Sequence, residues 1–253
     1  VLGEDTTKDN ATIKAFAKVV AKYLDGTKAK KGSFGTDNNS DTYTIGGLSA
    51  GYYLVKDKDG SVNAENHDAY TNYIMEVVQD VEVTPKTAVP TVEKKVNNKT
   101  EADIAQIGEK VTFTLTGTLP KNYDDYKTYR YIFHDTLSEG LTLNADSITV
   151  KAYKNGTITD TTNENVVTLA KDTNYTILTG DDVSETNDPK CSLEIKFDNL
   201  KSISGLTQGS KIVVEYTATV NSKATSGKAN PNTNKVRLEY SNDPNAEGDG
   251  TTG

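Results

Sequence analysis

The spacing of apolar residues changes once along the chain, from helical spacing near the start to strand spacing afterwards. Residues 9–24 carry Ile13, Phe16, Val20 and Tyr23 three or four positions apart, which predicts one amphipathic helix. An amphipathic helix buries its apolar stripe against a neighbouring element. We therefore expect this helix to pack on a sheet.

Most of the remaining chain consists of short runs in which apolar and polar residues alternate. Residues 42–57 predict two strands joined by a Gly-rich turn, and residues 72–84 predict one long strand. Later alternating runs lie at 110–119, 148–150, 193–197 and 212–220. This pattern predicts a mainly all-β protein with two tandem β-sandwich domains, the first with the helix. We expect domains at 1–86 and 87–242 and a linker or tail at 243–253. Whether the first domain lacks its first strands stays open.

A lysine interrupts the apolar face of the strand predicted at 90–96. Because alternate residues of a strand share a face, Lys94 lies on the same side as Val92 and Val96. Lys95 competes for this position, but a shift of one residue would turn both valines outward. A lone ammonium group in an apolar core costs several kcal/mol or more. Either this register is wrong, or Lys94 does not remain a free ammonium.

Two further strands place a polar residue on an apolar face. Asp135 follows the inward aromatic side chains of 129–133, and Asn234 precedes the inward apolar side chains of 236–240. Hydrogen bonds or a salt bridge at the edge of the core would explain these groups and Lys94. The alternative is an amide bond between Lys94 and Asn234 that Asp135 promotes.

The chemistry of such a bond explains why these three residue types are needed. Burial favours the neutral, nucleophilic amine of Lys94 and the protonated carboxyl group of Asp135. That carboxyl group could polarise the Asn234 carboxamide and shuttle protons while the amine attacks and ammonia leaves. Proximity within a folded chain lowers a barrier by about 7–11 kcal/mol in well-oriented cases. The reaction would be a single turnover within the chain.

Composition narrows the classes of function. The formal net charge of −8 argues against nucleic acid as a partner, because nucleic-acid-binding proteins carry basic patches. Tyr outnumbers Phe by 14 to 5, and Thr and Asn are abundant, which suits exposed strands and turns on an extracellular surface. No signal peptide or membrane span is recognisable. We therefore expect a mature fragment whose targeting ends are missing.

Residue spacing offers no support for cysteine, histidine or metal chemistry. Cys191 is the only cysteine, which excludes an internal disulfide, and we interpret it as a small apolar strand residue. His67 and His134 have no partners at a recognisable spacing, and no metal motif, nucleophile elbow or phosphate loop occurs. We expect no metal, no cofactor and no enzyme activity beyond the single amide formation.

Three segments of the second domain together carry a family resemblance. They are PTVEKKV at 90–96, DTLSEGLT at 135–142 and NTNKVRLEYSNDP at 232–244. In this order they resemble the isopeptide-forming domain of Gram-positive fimbrial shaft proteins, the backbone pilins that sortases polymerise. The resemblance covers residues 88–242 and, more loosely, 42–86. It implies Ig-like, collagen-adhesin-type sandwiches with a Lys94–Asn234 bond and Asp135 as the promoting acid.

The segment VEVTPK at 81–86 resembles the pilin motif, which is usually written with Tyr before Pro-Lys and Trp upstream. Thr84 replaces that Tyr, and Val77 stands where the Trp would be. In the family, the motif lysine attacks the sortase-bound threonine of the next subunit. The resemblance therefore implies that Lys86 forms the intersubunit linkage, and an ordinary linker lysine is the alternative.

The resemblance implies a structural subunit of a covalently polymerised pilus that is anchored to the cell wall and exposed outside the cell. Its partners would be other pilin subunits joined head to tail, a pilus-specific sortase, and the host surface or matrix. A surface adhesin that binds a host ligand is the alternative. It predicts an exposed groove or aromatic patch, which the sequence does not reveal.

Overall fold

The computed structural model describes residues 11–34, 43–58, 60–62, 69–81, 88–100, 102–184, 190–227 and 231–244. The chain divides into two units, one with residues 1–63 and 70–87 and the other with residues 64–69 and 88–253. The described chain is built mainly of β-strands with one α-helix in the first unit, which confirms the predicted class. Within the part of the chain that the structure describes, no helix combines the length and apolar character needed to cross a bilayer.

In the first unit an α-helix packs on a two-stranded sheet. The helix α1 (Ala11–Lys22) contacts two antiparallel partners, β3 (Gly51–Lys56) and β4 (Asn72–Val77). A separate pair is formed by β1 (Ser33–Phe34) and β2 (Tyr43–Thr44). The predicted helix on a sheet is confirmed. The two strands predicted within residues 42–57 are confirmed as β2 and β3, but they do not pair with each other, because β2 pairs with β1 and β3 pairs with β4.

The face through which the helix packs also differs from the predicted stripe. Ala17 is buried and Ile13 and Val20 are half-buried, whereas Phe16 and Tyr23 are 52% and 85% exposed. Side chains three and four positions apart line one side of a helix, and positions 13, 17 and 20 form that side here. Tyr23 lies beyond the last helical residue, so it does not continue the stripe.

The second unit is a β-sandwich of two antiparallel sheets with nine strands among the described residues. Their bounds are β5 (Thr91–Val96), β6 (Lys110–Thr118), β7 (Tyr131–Leu137), β8 (Leu141–Tyr153), β9 (Val166–Thr168), β10 (Thr176–Thr179), β11 (Leu193–Phe197), β12 (Lys211–Val220) and β13 (Asn234–Tyr240). One sheet has the order β5-β6-β12-β8-β9 and the other has the order β10-β11-β7-β13. Short 3₁₀ helices of this unit lie at Tyr123–Asp125, Gly180–Asp182 and Leu200–Ser202, and the first unit has one at Gly26–Lys28.

Alternating side chains from both sheets fill the core between them. Leu115, Phe133, Phe197 and Tyr216 are all fully buried there. Gly117 in β6 lets the aromatic residues of β7 approach its backbone, because a Cβ atom at this position would lie 2.8 Å from Phe133 Cζ. The absence of a side chain at Gly117 thus makes room for the aromatic rings of Tyr131 and Phe133 from the opposite sheet.

The strands β5 and β13 are edge strands of opposite sheets, and they contact each other at one side of the sandwich. Among the described strands, β5 pairs only with β6, and β13 pairs only with β7. The first and last strands of this unit thus come together although they are far apart in sequence. This arrangement brings the polar residues of three strands to one place.

Candidate functional site

Lys94, Asp135 and Asn234 meet at the edge of the core where β5 and β13 are in contact. The Lys94 side chain is 14% exposed and that of Asp135 is fully buried. Lys94 Nζ donates a hydrogen bond to Asp135 Oδ1 and forms an ion pair with it. Lys94 lies opposite the buried Leu115 in the β5–β6 ladder, and Lys95 lies opposite Thr114. The register that points Lys94 inward, and not Lys95, is therefore the observed one.

Tyr216 connects the acid to the asparagine. Its hydroxyl group donates a hydrogen bond to Asp135 Oδ2 and accepts one from Asn234 Nδ2 at 2.6 Å. The result is one continuous chain of contacts from Lys94 through Asp135 and Tyr216 to Asn234. The sequence predicts that Asp135 acts on the Asn234 carboxamide directly. In the structure, the hydrogen bonds between these two side chains pass through the Tyr216 hydroxyl group.

The position of Tyr216 follows from its strand. β12 is the central strand of the five-stranded sheet, and its alternation turns Tyr216 inward with Val214 and Ala218. The pairing of β12 with β8 shifts register between Glu215 and Thr217, and such bulges redirect side chains next to functional sites. A buried tyrosine usually finds a hydrogen-bond partner for its hydroxyl group. The inward tyrosine in the alternating pattern of β12 is the sequence signal for this third group, and the predicted site did not include it.

The carboxamide of Asn234 is only partly satisfied. Its Nδ2 atom contacts Tyr216, whereas its buried Oδ1 atom has no hydrogen-bond partner among the described residues. A buried acceptor without a donor costs about 1–3 kcal/mol. During attack at Cγ, negative charge would develop on this same oxygen, which can then accept a hydrogen bond that it does not have in the resting state.

Burial shifts the pKa of both ionisable partners towards their neutral forms. Desolvation lowers the pKa of Lys94 to about 8, even though the charge and hydrogen bond of Asp135 oppose this shift. Desolvation raises the pKa of Asp135, against the opposing effects of Lys94 and Tyr216. The Phe113 ring adds to the apolar surroundings, with its centroid 5.4 Å from Lys94 Nζ. A neutral amine beside a protonated acid is thus more accessible here than in water.

Two other acids of the second unit lie outside this chain of contacts. Glu109 and Glu215 are both exposed, so neither takes the buried position of Asp135. Lys86 lies outside the described residues, so its role stays a prediction from the VEVTPK segment.

Cys191 is buried, as expected of a small apolar residue, but it does not lie in a strand and it has polar partners. Cys191 precedes β11 and is buried, with its Sγ atom 3.7 Å from His134 Nδ1 and 3.6 Å from Glu194 Oε1. His134 also has partners, Glu194 of β11 and Glu239 of β13, although neither stands at a recognisable spacing from it along the chain. These partners come from strands that neighbour β7 in the sheet, and local spacing does not encode sheet order.

Comparison with known proteins points to one family. The family model described as Gram-positive pilin backbone subunit 2, Cna-B-like domain, matches residues 107–244. The trypsin-resistant surface T6 protein of Streptococcus pyogenes serotype M6 is 29% identical over 193 residues. This match covers 74% of the chain but only 31% of that protein.

The fold is shared with a solved pilin structure. The T6 backbone pilin of serotype M6 Streptococcus pyogenes matches with a TM-score of 0.53 and 18% identity, over 92% of this chain and 47% of that one. The full-length major pilin RrgB of Streptococcus pneumoniae matches with a TM-score of 0.45 and 19% identity, over 68% and 28% of the two chains. Because the family model spans more than half of the sequence, the chain belongs to the Gram-positive pilin backbone family with a Cna-B-like domain.

Proposed function

We propose that this backbone pilin is a shaft subunit of a covalent, cell-wall-anchored pilus and that an amide bond between Lys94 and Asn234 stabilises its second unit. The observation that supports this proposal is the buried chain of contacts from Lys94 through Asp135 and Tyr216 to Asn234. A salt bridge alone would explain Lys94 and Asp135. It would not explain why the same acid is connected to a half-satisfied carboxamide.

The reaction begins with a proton transfer. The Lys94 ammonium passes one proton to Asp135, which the buried surroundings favour because they disfavour both charges. The neutral Nζ atom then attacks Cγ of Asn234, and negative charge develops on Oδ1. Both groups are held by the packed strands, so the attack is intramolecular and needs no diffusional encounter.

The leaving group departs as ammonia, and the protons balance. Tyr216 passes its hydroxyl proton to Nδ2 and receives one from Asp135, which makes the leaving nitrogen a good leaving group. The carboxylate of Asp135 then takes the second proton from Nζ. The Nζ–Cγ bond forms, the Cγ–Nδ2 bond breaks, ammonia leaves, and Asp135 ends as a neutral acid. A neutral carboxyl group suits a buried site that no longer holds a cation.

Polymerisation would use a different amine. The resemblance of VEVTPK to the pilin motif supports Lys86 as the nucleophile that attacks the sortase-bound threonine of the next subunit. Other pilin subunits, joined head to tail, and a pilus-specific sortase would then be the partners.

Intact mass spectrometry of the folded, purified chain tests the proposal. We expect a mass lower than the sequence mass by one ammonia, and a branched peptide that joins β5 to β13 after digestion. Asp135→Ala should retain the full sequence mass, whereas Glu215→Ala, which removes an exposed acid of β12, should lose ammonia as the wild type does. A wild-type mass equal to the sequence mass would refute the bond.

A further inference from the structure

A second buried cluster lies on the other face of the same strand, one residue from Asp135. His134 turns away from the core and lies opposite Glu194 of β11 in the sheet. Cys191 covers this pair from the segment that precedes β11, and all three residues are buried. The amide chemistry of the opposite face uses none of these groups.

Three atoms of this cluster form a nearly regular triangle. His134 Nδ1 and Glu194 Oε1 are 3.2 Å apart, and Cys191 Sγ lies 3.6 Å from the oxygen and 3.7 Å from the nitrogen. A tetrahedral zinc ion with one sulfur, one nitrogen and one oxygen ligand requires separations of roughly 3.4–3.6 Å between these atoms. Each observed edge lies within about 0.2 Å of that requirement. The triangle therefore has the dimensions of one face of a zinc tetrahedron.

We propose that His134, Cys191 and Glu194 bind one zinc ion. Thiolate, imidazole and carboxylate groups together match zinc, whereas calcium and magnesium prefer oxygen ligands alone. The ion takes a fourth ligand from solvent, because the three side chains occupy three vertices of the tetrahedron. The metal connects β7, β11 and the chain segment before β11.

Neighbouring side chains hold the His134 ring in the orientation that a metal ligand needs. His134 Nε2 lies 3.1 Å from Glu239 Oε2, and Arg130 Nε donates to Glu239 Oε1 at 2.8 Å. A histidine that binds a metal commonly donates its second ring N–H group to a carboxylate, which orients the ring. This contact directs Nδ1 towards the triangle.

Glu194 is held in a similar way. Its second carboxylate oxygen, Oε2, accepts hydrogen bonds from Ser184 N at 3.0 Å and Ser184 Oγ at 2.7 Å. These contacts leave Oε1 directed at the cysteine and the histidine. The carboxylate is thus oriented for one ligand bond, with its other oxygen already satisfied.

Charge balance is compatible with a divalent ion. Zinc with a Cys191 thiolate, a Glu194 carboxylate and a neutral His134 ring has no net charge, and Glu239 is compensated by Arg130. Binding releases the thiol proton and any proton on Nδ1 to solvent. Without a metal, the two ring nitrogens of His134 remain in contact with the carboxylates of Glu194 and Glu239. The experiment therefore has to distinguish the zinc-bound cluster from the metal-free cluster.

Because the ligands are buried, zinc is supplied while the chain refolds from denaturant, and unbound metal is removed by gel filtration. We expect the wild type to retain one zinc ion per chain by elemental analysis. Cys191→Ala and His134→Gln should retain none. His67→Gln, which removes the only other histidine, should retain zinc as the wild type does.

Two further measurements separate metal binding from an ion-pair network. Cobalt should give a thiolate-to-metal absorption band in the wild type that is lost in Cys191→Ala. At a hundredfold excess over the dissociation constant, zinc should raise the melting midpoint of the second unit by about 5–10 °C in the wild type only. Cys191→Ala leaves the His134 and Glu239 contacts in place, so it tests the proposal even if His134→Gln does not fold.

The proposal is overturned if the wild type retains no zinc, or if Cys191→Ala retains zinc and shows the same shift in melting midpoint. The first result would leave an ion-pair network around His134, and the second would place the metal elsewhere. The mass of the same samples reports amide formation separately, so neither result depends on the Lys94–Asn234 bond.

Discussion

Replacing Lys94 with methionine should lower the melting midpoint of the second unit by about 10–20 °C. Methionine retains an unbranched apolar stem beside Val92 and Val96 but has no amine, so the amide bond cannot form. Lys94 and Asn234 are 140 positions apart, and the bond would close almost the whole unit into a ring. The chain-entropy relation used for disulfides gives about 5 kcal/mol for a loop of this length. Domains of about 150 residues or more shift by roughly 2–4 °C per kcal/mol.

The comparison isolates the closed loop because the charges in the two proteins match. The wild type should end with a neutral Asp135 and no ammonium group, and Lys94→Met also buries a neutral Asp135 without a cation. Lys95→Met is the control, since it makes the same change on the opposite face of β5. We expect its melting midpoint and mass loss to equal those of the wild type.

Calorimetry and a trypsin time course on the three proteins provide the measurement. Lys94→Met should expose the second unit to cleavage at a lower temperature and leave the first unit unchanged. Reducing agents should have no effect, because an amide is not reducible. If the wild type has lost ammonia and yet melts together with Lys94→Met, the cross-link does not stabilise the fold and the loop-entropy argument fails.

Two further predictions concern the proton path and the polymer. Tyr216→Phe should slow the loss of ammonia from freshly synthesised chains by about 10²-fold, because it removes the general acid for the leaving nitrogen. Tyr131→Phe is the matched control, since that buried hydroxyl group has no hydrogen-bond partner among the described residues. Equal rates in both variants, followed by intact mass, would remove Tyr216 from the mechanism. Lys86→Ala should fold and lose ammonia normally but form no polymer ladder in a sortase assay, whereas Lys28→Ala should polymerise. Normal ladders with Lys86→Ala would contradict the linkage assignment.

The sequence alone determined which residues of the three strands face inward. A strand repeats every two residues, so once Val92 and Val96 face the core, Lys94 must face it as well. The same rule placed Asp135 beneath the aromatic residues of β7 and Asn234 at the start of β13. Local alternation is sufficient for these assignments because each depends only on neighbours along one strand.

The tertiary structure decided which of these residues meet and what else joins them. Tyr216 reaches Asp135 from the central strand of the opposite sheet, and His134 meets Cys191 and Glu194 across a strand pairing. The packing of α1 through Ala17 instead of Phe16 likewise depended on which side of the helix the two-stranded sheet covers. Sheet order and the facing of two sheets are set by contacts between segments that are far apart in sequence. No periodicity within a single segment records such contacts, because the pattern of one strand is the same whichever strand lies beside it.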